Sequence, residues 1–442
     1  MRLQRLQLWL LAGVAATAPV SIFASEILLA LAAIAFLVRL ARGLTRVPAT
    51  AVDTPILAFA VWSLLSACFA AQPAVSHADS KKLLLFALFY IALETMGDAS
   101  AREAVLHSVL LGGLSLAGLM VLQHQLLGFD RLDHRPSGFL GHYMSASGVT
   151  MVVLVVAAAR LLFAPRQAPR LRDFRLPGLV LLGVAVVAAF SAAGHGLWPT
   201  RLFVACLAVL AGWLSLRPGD SAGGARAALP LVVVPLAAWA LLVSQTRGAW
   251  LGAVVGLCAV AALRAPRLLL LLAAAVVALL LAHPQALAGR LTVADASSLD
   301  RYYMWQAGID MVIDRPVFGQ GPGMILARYP SYRWPEAPNP RAPHLHNNLL
   351  QIAAERGLPG AVFFAWWALG VALTALRVAR AARAELGVNA AAAVGSLGML
   401  AAIFAAGLFE YNLGDSEVLI VVLLLQAVPF AVARVLPAGA AE

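Results

Sequence analysis

Lysine is almost missing from this chain. Lys81 and Lys82, side by side, are the only two in 442 residues, and the rest of the basic charge is arginine. Charge of either sign is scarce, at 12% of residues against 62% hydrophobic. That balance excludes an ordinary soluble domain of this length. The three cysteines, Cys68, Cys206 and Cys258, all lie in apolar runs. They read as small core residues and exclude a disulfide framework. Alternation of apolar and polar residues is absent as well, so the apolar segments are helices rather than strands of a barrel. No Asp-x-Asp or Glu-x-Asp pair occurs, and Asp415-Ser416-Glu417 is the nearest approach. The loop "FGQGPG" (Phe318–Gly323) lacks the following Lys-Ser/Thr of a phosphate-binding P-loop.

What is abundant is the apolar run. Mean hydropathy is +0.86, and runs long enough to cross a bilayer recur along the chain. Candidate spans cover 7–23, 27–40, 55–71, 82–96, 103–126, 145–163, 177–193, 199–216, 229–244, 249–263, 268–282, 358–378, 390–408 and 416–434. Several are short, so the expectation is an all-α polytopic membrane protein with 12–14 transmembrane helices. The first run has Arg2 and Arg5 on its flank, as a signal peptide would. A second run follows so closely that a retained helical hairpin fits better. The net charge of +11 sits in short loops. It reads as the positive-inside rule, with no nucleic-acid partner.

If every span is real, the arginine-rich loops share the cytoplasmic side. Residues 72–81, 127–144, 245–248, 283–357 and 409–415 then face the periplasm. Three regions follow: N-terminal spans over 1–282, a large periplasmic loop over 283–357, and C-terminal spans over 358–442. Within the loop, residues 299–313 read as an amphipathic surface helix. Tyr329–Pro343 is too proline-rich for helix. Tyr302, Tyr303, Trp305, Tyr329, Tyr332 and Trp334 suit an interfacial belt or sugar stacking, with the belt favoured for most.

The densest polar cluster is "HLHNNLLQIAAERGLPG", His344–Gly360. Asn348 with Gln351 reads as an N-cap and its capping-box partner. Gly357 stops that short helix, and Pro359 opens the next. His346 and Asn347 stand at the helix mouth, where anions gather and a neutral imidazole is favoured. Two readings fit: a polar cap at a membrane boundary, or a general base. His344 and His346 have a spacing found in metal sites, but no acidic or cysteine partner lies near in sequence to make zinc compelling.

The pattern His346-Asn347, nine residues, then Gly357-x-x-Gly360 resembles the motif of bacterial O-antigen ligases (WaaL-type), within the wider ligase/polymerase family of the inner membrane. The resemblance extends to the many spans, the large late loop and the final group of spans. Hydroxyl residues follow the second glycine in that family's longer form, whereas Ala361-Val362 follow here. This departure bears on ligase against polymerase.

The resemblance implies a GT-C-like glycosyltransferase with its site facing the periplasm. It would move O-antigen polysaccharide from undecaprenyl pyrophosphate to the lipid A-core, with no metal or nucleotide cofactor. It implies His346 as catalytic base and periplasmic cations around the pyrophosphate. Arg247 in "SQTRGAW" and Arg301 in "DRYYMW" match best, with Arg135 in "HRPSG" and Lys81 in "DSKK" beside them. Asn347, Gln320, Gly357 and Gly360 would support the site. Plainer readings accompany each: Arg247 snorkelling, Arg301 paired with Asp300, and Arg135 or Lys81 meeting lipid headgroups. The rival activities are O-antigen polymerase, protein O-oligosaccharyltransferase and, from another class, a lipid or glycan transporter, which would place charges at mid-bilayer.

Overall fold

The computed structural model describes residues 2–164, 170–192, 220–282 and 296–437. Among these residues the chain is all-α, and its one strand-like pairing is a single bridge between Arg131 and His134. In order come α1 (Arg2–Thr17), α2 (Ile22–Ala41), α3 (Asp53–Cys68), α4 (Pro73–Asp79), α5 (Ala87–Thr95), α6 (Ala99–Leu126), α7 (Tyr143–Phe163) and α8 (Arg175–Ala192). Then follow α9 (Asp220–Ser244), α10 (Arg247–Arg264), α11 (Arg267–Ala282), α12 (Ala296–Asp314), α13 (Ile325–Tyr332), α14 (Asn348–Ala382), α15 (Val388–Ala406) and α16 (Ser416–Ala433).

Eight helices among the described residues are long and apolar enough to cross a membrane: α2, α6, α7, α9 from Ala227, α10, α14, α15 and α16. This is a polytopic helical membrane protein, and its described residues hold fewer qualifying spans than the twelve to fourteen expected of the whole chain. The difference has local causes. The run expected over 82–96 is split into a 3₁₀ segment, Ser80–Phe86, and the short α5. The helices α1, α3 and α11 have 16 residues each, near the lower limit for a spanning helix. The span expected at 199–216 lies outside the described residues.

Bundle packing rests on small residues. Along α10, Gly252 and Gly256 are four apart and face Ala402 and Gly398 of α15. A Cβ on Gly252 would come 2.6 Å from the Ala402 carbonyl, and one on Gly256 2.7 Å from that of Gly398. Only glycine lets two backbones approach so closely without clash. The pairing is antiparallel, so the start of α10 lies beside the end of α15. Two buried arginines are ion-paired, Arg39 with Glu94 at 2.7 Å and Arg160 with Glu103 at 2.9 Å, and buried Arg102 donates to the Met96 carbonyl at 2.9 Å and to Asn389 at 2.8 Å.

The large loop has its own core. Met304, Ala307 and Met311 of α12 pack with Ile325 and Tyr329 of α13 and with Leu345 and Ala354. The amphipathic helix expected at 299–313 is α12. The expectation that Tyr329–Pro343 holds no helix needs correction, because α13 runs to Tyr332 with Pro330 inside it. Pro330 sits in the last turn, where its missing N–H costs one bond at most. Several of the loop aromatics make contacts within the loop. Tyr329 is fully buried, Trp305 Nε1 donates to the Leu345 carbonyl at 2.9 Å, and Trp334 Nε1 donates to Asp310 at 2.9 Å. Tyr332 joins Gln320, Arg328 and Asp314. These rings knit the loop together.

Candidate active site

The motif forms a short rod that continues into a spanning helix through a kink. Gly357 sits inside α14 with φ 71° and ψ 178°. A Cβ there would collide with the Val317 carbonyl, and the Leu358 N–H donates to the Pro316 carbonyl at 2.8 Å. Gly357 is therefore required twice, for its left-handed φ and for the close approach of the 316–317 backbone. Gly360 permits a second contact, with Trp62 Cδ1 3.3 Å from where its Cβ would be.

The N-cap lies one residue earlier than the sequence suggests. Asn347 Oδ1 accepts the Leu350 N–H at 2.9 Å. Asn348 is instead the first helical residue, and its Nδ2 donates to Asn412 Oδ1 at 2.8 Å. Gln351 makes no capping box. Its Oε1 accepts the Leu345 N–H at 2.8 Å, and its Nε2 donates to Glu355 at 2.7 Å. The rod is pinned to the segment after α15: the Asn348 N–H donates to the Gly407 carbonyl at 2.8 Å, and Asn347 Nδ2 to the Leu408 carbonyl at 3.0 Å.

This docking sets His346 against Glu410. His346 Nδ1 lies 3.0 Å from Glu410 Oε2 and 3.1 Å from Oε1. Burial opposes ionisation of Glu410, but the His346 hydrogen bond, the two neighbouring imidazoles and the Arg301 guanidinium outweigh it and hold the carboxyl below its ordinary range. An ionised carboxylate only accepts. In the neutral ring, Nδ1–H donating to Glu410 leaves the Nε2 lone pair as the free acceptor. His346 has φ +50°, a left-handed conformation that a non-glycine residue adopts at a cost. Gln245, two residues before Arg247, is the other such residue among those described, at φ +51°. Both strained positions flank the site.

Three of the four expected cations gather here. Arg247 opens α10, its NH2 3.4 Å from Ser298 Oγ of α12. Arg301, lower on α12, reaches Glu410 Oε2 at 3.9 Å, while Asp300 accepts from Asn339 at 2.7 Å. Arg135 stacks over Tyr143 with 4.2 Å to the ring centroid. Its loop is fixed by Gln123, whose Oε1 accepts the Ser137 and Gly138 N–H groups at 3.0 and 2.8 Å. Burial first, and then the positive charges of Arg301 and Arg247, lower the proton affinity of Arg135 despite the opposing influence of Tyr143. Arg301 and Arg247 are near enough for their charge to be felt at Arg135, and guanidinium forks suit phosphate oxygens.

Lys81 does not join them. It is exposed and makes no polar contact among the described residues, whereas Lys82 pairs with Asp79 at 3.2 Å. Gln320 is buried in the loop core. Its Nε2 donates to Tyr332 at 3.0 Å, and its Oε1 accepts from Arg328 at 3.1 Å. It shapes the loop.

Sequence reasoning missed Glu410, far along the chain in the short connection before α16. The signal available was an acid in "LFEYN" between two apolar runs. Ligand atoms of His344, His346 and Glu410 lie within 4.8 Å of one another, a His₂-carboxylate set of the kind that holds a divalent cation. The Arg301 guanidinium already supplies positive charge to the same carboxylate.

No curated protein matches the chain significantly. An O-antigen ligase family domain (Wzy_C) is present over residues 231–365, a stretch that contains Arg247, Arg301, His346, Gly357 and Gly360 but not Arg135 or Glu410.

Proposed function

We propose that this chain is a GT-C-like glycosyltransferase that transfers O-antigen polysaccharide from undecaprenyl pyrophosphate to the lipid A-core at the periplasmic face of the inner membrane, without metal or nucleotide. The observation that carries this reading is the pairing of His346 with Glu410 beside Arg301, Arg247 and Arg135, within and next to a domain of the O-antigen ligase family. An acceptor hydroxyl attacks the anomeric carbon from the side opposite the pyrophosphate. The new C–O bond forms as the bond to the phosphate oxygen breaks, inverting the carbon. The hydroxyl proton passes to His346 Nε2, and Glu410 stabilises the resulting imidazolium. The electron pair leaves on the pyrophosphate, where guanidinium forks offset the growing charge.

The position of Arg247 as the first residue of α10 supports an enzyme over a transporter, because that charge stands at a helix end rather than in mid-span. The deciding experiment is reconstitution with a lipid-linked glycan and three acceptors in parallel: lipid A-core, a second lipid-linked glycan, and a pilin. Lengthening of lipid A-core is expected. Lengthening of either other acceptor instead assigns a polymerase or a protein transferase, and no transfer to any overturns the reading.

A further inference from the structure

His346 is a single residue between two anchored segments. Leu345, before it, is fixed at three points. Its side chain is fully buried and seated against α12, where a Cβ on Gly308 would come 2.7 Å from Leu345 Cδ1. Its N–H donates to Gln351 Oε1 at 2.8 Å, and its carbonyl accepts the Trp305 Nε1–H at 2.9 Å. Asn347, after it, is fixed through both ends of its amide. Its Oδ1 caps the rod through the Leu350 N–H, and its Nδ2 donates to the Leu408 carbonyl.

The anchors are themselves held. Gln351 is buried, and its Nε2 donates at 2.7 Å to Glu355 Oε1, which also accepts the Gly323 N–H at 3.1 Å. Trp305 stands on α12 four residues after Arg301, so one face of that helix reaches both the Glu410 carboxylate and the Leu345 carbonyl. A left-handed φ at a non-glycine residue persists only where the surroundings over-determine it, and here they do. Relaxing the φ of His346 from +50° to an ordinary value near about −60° would swing its Cβ by roughly 110° about the N–Cα bond. The 3.0 Å contact of Nδ1 with Glu410 does not survive such a swing.

We infer that Trp305 and Gln351 are positioning residues. By clamping the peptides on either side of Leu345 they hold His346 in its left-handed conformation, and that conformation keeps Nδ1 on Glu410. For transfer, this rests on His346 acting as the general base. For the backbone, it rests on the contacts alone.

The test has two arms, both on the full chain. The first measures melting temperature in detergent and no transfer. His346→Gly should melt roughly 1–4 °C above His346→Ala, because alanine is strained at a left-handed φ and glycine is not. Adding Trp305→Phe, which keeps a ring and removes the N–H, should narrow that gap. Gln351→Met, similar in length and with no acceptor for the Leu345 N–H, should act in the same direction. The second arm measures transfer. Trp305→Phe should lower turnover about five- to tenfold, the value of one hydrogen bond, with the KM for donor unchanged. In Glu410→Ala, which has no contact left to keep, the same change should lower the residual turnover by less than about twofold. A gap that is absent, or that Trp305→Phe leaves unchanged, overturns the clamp. An equal loss of turnover with and without Glu410 shows that Trp305 acts elsewhere and overturns the positioning role. If the gap narrows as expected while His346→Ala transfers normally, the clamp stands and the reading of His346 as base falls.

Discussion

At the scale of the residue, the account rests on what each side chain can donate or accept. Arg247 is assigned to phosphate because a planar fork matches phosphate oxygens. Arg247→Lys keeps the charge and loses the fork, so turnover should fall by about tenfold or more, the size of a charge-assisted hydrogen bond. A steady-state assay checks this, and turnover equal to wild type would remove the bidentate contact. His344 provides a pH test. Burial, and then the charge of His346, push its imidazole down to about 4 from an ordinary 6.5. A group held neutral in the fold favours folding fully above 6.5, and that contribution drains away as pH falls from 6.5 toward 4. Melting temperature should drop across that window, and His344→Gln should flatten the drop. Any loss from protonating Glu410 falls lower, because its carboxyl is held below 4.5. Of these residues, His346 and the arginines were legible as types in context. Glu410 was not, because only the docking of the rod on the segment after α15 brings it to His346.

At the scale of the element, the kink at Gly357 is the feature on which the site depends. It turns one long helix into a rod that ends at His346 and a span that enters the bilayer. Gly357→Ala meets both a left-handed φ and the Val317 carbonyl. It should cost at least about 1–3 kcal/mol, read as a lowered melting temperature with transfer impaired. Unchanged stability would show that the rod and the 316–317 backbone are not in contact. Sequence pattern placed this break correctly, since Gly followed by Pro two residues on is strong local punctuation. It placed the cap one residue late, because two adjacent asparagines both satisfy the local rule. Only the tertiary partner Asn412 decides that Asn348 turns inward. Likewise Pro330 discouraged a helix that the loop core, through Ile325 and Tyr329, makes worthwhile.

At the scale of the molecule, close antiparallel packing of α10 on α15 brings Arg247 and Glu410 to one end of the bundle, where the large loop adds Arg301 and His346. The membrane class was plain from composition, because an apolar excess of this size admits few alternatives. The span count was not, since hydropathy registers apolar runs whether or not a 3₁₀ break or a short helix interrupts them. Sidedness is checked by labelling. In a chain lacking Cys68, Cys206 and Cys258, a cysteine at exposed Glu336 of the large loop should react with an impermeant maleimide added from the periplasmic side. One at exposed Glu385, between α14 and α15, should react only after the membrane is broken. The reverse pattern would put the site in the cytoplasm. The most direct test of the central claim is transfer of a lipid-linked glycan to lipid A-core in reconstituted vesicles, with wild type, His346→Ala and Glu410→Gln compared at equal folded protein. The account predicts no detectable transfer from His346→Ala and a loss of about 10²–10⁴-fold from Glu410→Gln. Normal transfer by His346→Ala would contradict it.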